Sequence, residues 1–168
     1  MASFTSKTRY AFDASSAFEL ALDRYAAGAD EIAQKAIYTG AEVIADEIKA
    51  EMDKIPIEEG RYLKNGDKFA SATKTQVDDL KESFGITPMA EDAIGWNTKL
   101  GFDGYGSIPT KKYPKGVPNQ LTARAIESGS SIRIKFPFVR RCVTRKKKVA
   151  IAKMAQIVDA ETAKVFKK

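Results

Sequence analysis

The sequence predicts an α+β domain in which a long N-terminal helix and a C-terminal helix pack on a small, mainly antiparallel sheet. Apolar residues recur every three or four positions over residues 13–55, and again from Phe138 onward, which is the spacing of helices. Over residues 94–102 they alternate, which is the spacing of a strand. The chain has 168 residues, 43% of them hydrophobic, which suffices for a single domain over residues 1–168 with its own core.

The first helix is predicted over residues 13–55, with a break or kink at Gly28. Its apolar stripe is clearest in the second part, where Ile37, Ile44 and Ile48 fall on one face. Pro56 ends the helix because the residue before a proline is pushed out of the α region. Residues 1–12 are expected to be flexible.

Residues 57–79 and residues 103–118 are predicted to be long loops. The first stretch is polar and lacks any apolar period, and the second is interrupted repeatedly by glycine and proline. Loops of this length in a domain are usually functional or disordered. We therefore expect both to exchange amide hydrogens readily in the isolated protein and to become ordered on assembly.

Two strands and two helices complete the prediction. The first strand covers residues 94–102, with Trp96 and Phe102 buried together, and the second covers residues 132–136. A short helix over residues 120–128 lies between them, with Asn119 as its N-cap and Gly129 just after its end. The last helix begins at Phe138 and buries Cys142 on its apolar side.

The composition argues against several kinds of catalytic site. The chain contains no histidine and one cysteine, Cys142. Zinc sites, Ser-His-Asp triads and Cys-His pairs therefore lack their usual residues. The glycines do not have the spacing of a phosphate-binding loop. These absences lead us to expect no enzyme, cofactor or metal site. There is also no apolar stretch long enough for a membrane span and no secretory signal, so we expect synthesis in the cytoplasm.

Positive charge is concentrated at the C-terminal end of the chain. Residues 124–168 hold 13 Lys and Arg against 3 Asp and Glu, a net charge of +10, whereas the other residues have a net charge of −4. We call six of these cations the basic run: Arg140, Arg141, Arg145, Lys146, Lys147 and Lys148. Such a run can bind nucleic-acid phosphates, bind an acidic protein surface, or simply be solvated.

Six short segments follow one another in a recognisable order. They are residues 36–45 (AIYTGAEVIA), 56–61 (PIEEGR), 80–84 (LKESF), 100–102 (LGF), 122–129 (TARAIESG) and 137–141 (PFVRR). From about residue 30 to the end, the chain thereby resembles the tail-completion or neck (head-tail joining) proteins of long-tailed bacteriophages. It departs from that family at Glu59, where a threonine is usual, at Arg141, where a proline is usual, and in the excursion between Gly60 and Leu80.

The resemblance implies a structural virion protein without enzymatic activity or cofactor. It implies a ring subunit, hexameric because of the sixfold symmetry of tails, that completes the head-proximal end of the tail and joins it to the head. The implied partners are further copies of the chain, the head-tail connector or stopper, the tail terminator and the tail tube proteins, with genomic DNA in the channel as another candidate and no membrane. The protein would be made in the host cytoplasm and reside in the virion.

Two sets of residues are then candidates for assembly contacts. The basic run would contact an acidic surface of a neighbouring subunit or face DNA in the channel. The second set lies in the loop over residues 103–118 and consists of Tyr105, Lys111, Lys112, Tyr113 and Lys115. Two alternatives stay open, a small basic nucleic-acid-binding module and a small regulatory or toxin-antitoxin partner.

Overall fold

The computed structural model describes residues 16–59 and 71–166. The fold is α+β, as predicted, with a long N-terminal helix, a long C-terminal helix and two small antiparallel sheets. In chain order, the elements are α1 (Ser16–Met52), α2 (Lys74–Ser83), β1 (Phe84–Ile86), β2 (Ala90–Asp92), β3 (Gly95–Asn97), β4 (Leu100–Phe102), α3 (Asn119–Ser128) and α4 (Phe138–Phe166). The predicted flexible segment 1–12 lies outside the described residues.

The two long helices lie antiparallel and form the largest contact between elements. Near one end of the pair, the rings of Tyr25 and Phe166 lie 6.0 Å apart. Near the other end, the Cys142 thiol donates to the backbone carbonyl of Glu47 at 3.4 Å. α1 continues through Gly28, so the predicted break there is wrong. A single glycine costs a helix only about 1 kcal/mol relative to alanine, which a 37-residue helix packed against α4 tolerates.

The hydrophobic core lies where one half of this helix pair meets the smaller elements. Its largest fully buried apolar side chains come from all four helices: Ile48, Met52, Leu80, Ile126, Phe138 and Cys142. Cys142 is therefore a buried residue, as predicted. The other half of the pair contains no buried side chain over residues 22–35 and 151–166. It projects beyond the core as a two-helix arm.

The predicted strand over residues 94–102 is wrong as a single element, because the structure divides it between two sheets. β4 pairs with β1, where Leu100 faces Ile86, and β3 pairs with β2, where Asn97 faces Ala90. Residues 87–89 thus oppose only residues 98–99, so one strand carries an extra residue, the pattern of a β-bulge. Pro88 lies in this extra segment and has no N–H to donate to a ladder.

The bulge also separates two aromatic residues that were predicted to be buried together. Phe102 packs between Phe84 and Phe138, with ring centroids 5.1 and 6.1 Å away. Trp96 instead lies against α1 and donates its indole N–H to the Asp30 carboxylate at 3.1 Å. Both side chains are half-buried, in different sheets, so the expectation of a shared burial site is wrong.

Residues 132–136 do not form the predicted strand. Only one isolated bridge, between Ser130 and Arg133, occurs there, and Ile132 and Ile134 are exposed. The segment has no partner strand because Arg133 turns inward, where its guanidinium donates to the Ser71 carbonyl and to the Gln76 side chain. The Arg133 side chain thereby ties this connection to α2 and to the residues just before it.

Part of the predicted loop over residues 57–79 is helical. Residues 60–70 lie outside the described residues, but α2 begins at Lys74. Thr73 and Gln76 form a capping box, in which the Thr73 side chain accepts from the Gln76 amide and the Gln76 side chain accepts from the Thr73 amide. The Glu58 amide donates to the Ala72 carbonyl at 3.0 Å, which joins the two described ends of this stretch.

Residues 103–118 form no helix or strand, in agreement with the predicted loop. α3 follows and ends at Gly129, whose φ of +75° suits glycine, as expected. Its N-cap is Pro118 rather than Asn119. The Asn119 side chain is instead buried and donates to the Asp103 carbonyl at 2.9 Å, so it fastens the loop rather than capping the helix.

Candidate functional site

The basic run lies on the first three turns of α4, where the helix leaves the core. Phe138 and Cys142, four residues apart, are fully buried and fix which side of the helix faces inward. Among the cations of the run, Lys146 is half-buried and the other five are exposed. The predicted helix and the exposure of its charges therefore agree with the structure.

The N-terminus of α4 is capped by a residue that the sequence analysis did not single out. One carboxylate oxygen of Glu127, in α3, accepts from the Val139 amide at 2.8 Å, and the other accepts from the Arg140 amide at 3.1 Å. The same carboxylate lies 3.7 Å from the Arg140 guanidinium. A negative charge here satisfies free amides and the helix dipole. The signal was hidden because the capping residue lies eleven positions before the helix begins.

Half of the basic run is neutralised within the chain. The Arg145 guanidinium pairs with Glu47 and lies 3.5 Å from Glu51, both in α1, and the Lys146 ammonium lies 3.2 Å from Glu47. With Arg140 bound to Glu127, three of the six cations have internal partners. The charge asymmetry of the sequence therefore serves in part to join α4 to α1.

These ion pairs shift the pKa values of carboxyl groups near the C-terminal end of α1. The hydrogen bond from Lys146, helped by Arg145, holds the pKa of Glu47 below its usual range, although burial opposes the shift. The hydrogen bond from Lys54 likewise lowers the pKa of Glu51. Burial raises the pKa of the neighbouring Cys142 thiol, with a further contribution from the two carboxylates. Cys142 is thus held as a neutral thiol.

Glu47, Glu51 and Cys142 bring three ligand-type atoms within 4.8 Å of one another. The arrangement suits cations of the protein better than a metal ion. Both carboxylates already face Arg145, and each has a lysine as a second partner. The protonated thiol would have to lose its proton to ligate a metal. We describe the cluster as a partly buried ion-pair network that fastens α1 to α4.

The remaining cations of the run form what we call the free basic patch: Arg141, Lys147 and Lys148. All three side chains are exposed, and none forms an ion pair with a described residue. Arg141 also lines an open groove of about 520 Å³ together with Lys135, Pro137 and Thr144. Arg141 and Lys148, seven residues apart, lie on the same side of the helix, and Lys147 is rotated by about 100° from Lys148. The patch is therefore suited to an anionic surface supplied from outside.

The loop candidates occupy a different part of the surface. Tyr105, Lys111, Lys112 and Lys115 are exposed, whereas Tyr113 is half-buried and has the Lys112 ammonium 5.5 Å from its ring centre. Within the described residues, no hydrogen bond or ion pair joins this loop to the basic run.

The base of the loop is firmly attached. The Asp79 carboxylate accepts from the backbone amide of Ser107 at 2.7 Å and from its hydroxyl at 2.6 Å. The Gly106 amide donates to the Val117 carbonyl at 2.8 Å. Gly116 has a φ of +99°, and a Cβ there would lie 1.7 Å from the Gly106 carbonyl oxygen, so only glycine fits. The loop presents its lysines from a fixed base.

In the described ranges, no helix has an apolar stretch that could cross a bilayer. Comparisons with protein-family models, with curated proteins and with solved structures give no match. What the free basic patch and the loop bind is therefore inferred from their residues and their placement in the fold.

Proposed function

We propose that this chain is a structural virion protein of a phage tail, a ring subunit that completes the head-proximal end of the tail and joins it to the head connector. In this role it is not an enzyme and needs no cofactor. Its partners are further copies of itself, in a hexameric ring, together with the connector or stopper, the tail terminator and the tail tube proteins.

One observation carries the proposal. The segments that resemble tail-completion proteins are far apart in the sequence, yet they meet in one core. Leu80 and Phe84 come from one segment, Ile126 from another and Phe138 from a third, and all four belong to the same buried cluster. A likeness spread over the residues that specify the core favours a common fold more strongly than a likeness confined to one loop would.

The surface supports an assembly role in three further ways. The free basic patch has no ion-pair partner among the described residues, so an acidic face of a neighbouring subunit, or DNA in the channel, would supply its counter-charge. The two-helix arm contains no buried residue over 22–35 and 151–166, so it gains by packing against another protein. The lysines of the loop over residues 103–118 offer a third contact surface.

The test is deletion of the gene from the phage that carries it, followed by electron microscopy of the lysate. We expect filled heads and tails that remain separate, and restoration of joined particles when the wild-type chain is supplied from a plasmid. A variant that cannot fold, such as Phe138→Asp, should not restore them. Normal joined particles without the gene would contradict the proposal.

A small nucleic-acid-binding module is the second candidate, and the free basic patch is the observation that favours it. If Arg141, Lys147 and Lys148 each neutralise one phosphate, duplex affinity should fall about 40-fold between 50 and 200 mM salt. Changing all three to Gln should flatten this salt dependence. Strong duplex binding by the isolated chain, together with normal particles after deletion, would favour this function over the neck.

A further inference from the structure

The hairpin formed by β2 and β3 ends in a rigid turn that carries an isoleucine in water. Ile94 is 98% exposed. One Asp92 carboxylate oxygen accepts from the amides of Ile94 and Gly95 at 2.9 and 3.2 Å, and the other accepts from the Asn97 side chain at 2.8 Å. Gly95 has a φ of +128°. The turn is therefore held by its own hydrogen bonds, and little backbone entropy is lost when its tip is bound.

An open apolar groove lies between α3 and α4. It has a volume of about 490 Å³, and its apolar walls are Phe102, Ala123, Val139 and Val143. Val143 is 40% exposed although it is apolar. Its polar lining consists of Arg124, Glu127, Ser128 and Arg140.

The charges around the tip and the groove are complementary. Glu91, beside the tip, is exposed, and so is Arg124, beside the groove. Neither forms an ion pair with any residue in the described ranges. Asp92 adds a second negative charge to the tip, whereas Arg140 is paired with Glu127, which also lines the groove, so the uncompensated positive charge of the groove is that of Arg124. Opposite charges in these positions favour one orientation of docking and speed the encounter.

A chain cannot bring its own tip to its own groove. Trp96, two residues from Ile94, is held at Asp30 of α1. Cys142, beside the groove residue Val143, instead contacts Glu47, seventeen residues or about 25 Å farther along the same helix. The tip can therefore bind the α3–α4 groove only of a second molecule.

We propose that the hairpin tip of one copy docks in the α3–α4 groove of the next copy. Ile94 enters the apolar groove, and Glu91 pairs with Arg124 of the other chain. Because tip and groove are different surfaces, the contact is heterologous, and its repetition closes a ring when the rotation allows. The place of such a ring in a particle rests on the proposed function, whereas the contact itself does not.

The test is site-directed cross-linking of the purified full chain in a Cys142→Ala background, so that each chain has one thiol. A chain with Ile94→Cys is mixed with a chain with Val143→Cys and treated with a short bis-maleimide. We expect at least tenfold more covalent dimer than from Ile94→Cys mixed with Ile151→Cys, since Ile151 on α4 is more exposed than Val143 but does not line the groove.

A second experiment reverses surface charges and leaves the core unchanged. It measures self-association by sedimentation of the chain with its native cysteine. Glu91→Lys and Arg124→Glu should each weaken self-association about tenfold, and a mixture of the two variants should recover part of it. Cross-linking equal to the Ile151→Cys control, tip-to-tip dimers from Ile94→Cys alone, or no dimer in any mixture would overturn the contact. Separate heads and tails after deletion, without cross-linking, would support the neck function and refute only the contact.

Discussion

Glu47 is a single residue of α1 that stabilises the fold by pairing with the basic run of α4. It accepts from Arg145 and Lys146, and its pKa is lowered as a result. A carboxyl whose pKa is lower in the folded state stabilises that state above its unfolded pKa, near 4.3, and loses this contribution as the pH falls through the lower folded value. The α1–α4 junction should therefore weaken in acid.

We expect the melting temperature of the wild-type chain to fall between pH 6 and pH 3, and Glu47→Gln to reduce that fall. The variant should be less stable than the wild type at pH 6, and this difference should shrink as the pH falls. Glu42→Gln is the matched control, because Glu42 is exposed on the same helix without an ion pair to a described residue. Parallel pH profiles for wild type and Glu47→Gln would contradict the assigned role.

Two glycines of α1 should respond to substitution in opposite directions. A Cβ at Gly28 meets nothing within 4 Å, so Gly28→Ala should stabilise the protein by up to about 1 kcal/mol. A Cβ at Gly40 would lie 2.6 Å from Met154, so the larger Gly40→Val should destabilise by about 1–3 kcal/mol. Urea denaturation measures both. A stabilising Gly40→Val would show that the helices do not approach at this point.

At the scale of elements, what could be predicted from the sequence depended on the range of the interactions involved. α1 and α4 repeat the helical period over many turns, and Cys142 was correctly placed on the buried side of α4. The sheet was mispredicted because the bulge at Pro88 depends on how two strands pair, which the alternation within one strand does not reveal. The capping box at Thr73 is a local signal that was missed.

The candidate site was predictable to a similar degree. The basic run was identified, and its helix and exposure agree with the structure. Which of its cations are free could not be predicted, because Glu47, Glu51 and Glu127 approach it only through tertiary packing. The inward turn of Arg133 was hidden for the same reason, since its partners Ser71 and Gln76 are about sixty residues away in sequence.

The loop over residues 103–118 should have protected amides at its base, in contrast to the ready exchange expected from the sequence. The amides of Gly106, Ser107 and Asn119 are hydrogen-bonded. Asp79→Ala removes both bonds to Ser107, so it should cost about 1–2 kcal/mol and speed exchange at Ser107. Asp78→Ala, which removes only an exposed pair with Lys74, is the control. Unchanged exchange in Asp79→Ala would refute this anchoring.

At the scale of the whole molecule, the free basic patch should matter for assembly and not for folding. Changing Arg141, Lys147 and Lys148 together to Gln should leave the melting temperature within about 2 °C of wild type, because exposed, unpaired charges contribute little to stability. Arg145 is left unchanged because it joins α4 to α1.

We expect the triple variant to lower the yield of joined particles about tenfold in the complementation assay. The control makes the same change of charge at three exposed lysines elsewhere, Lys49, Lys99 and Lys153. If both triple variants restore particles equally well, the patch is only a solvated helix face.

The central claim is that this chain is a structural part of a virion, and locating the protein tests it most directly. Purified, intact particles would be labelled with gold-conjugated antibody against the chain and imaged, with the copy number per particle measured by quantitative mass spectrometry. The account predicts gold at the junction between head and tail and about six copies per particle. Absence of the protein from purified particles, or label confined to the host cytoplasm, would contradict it.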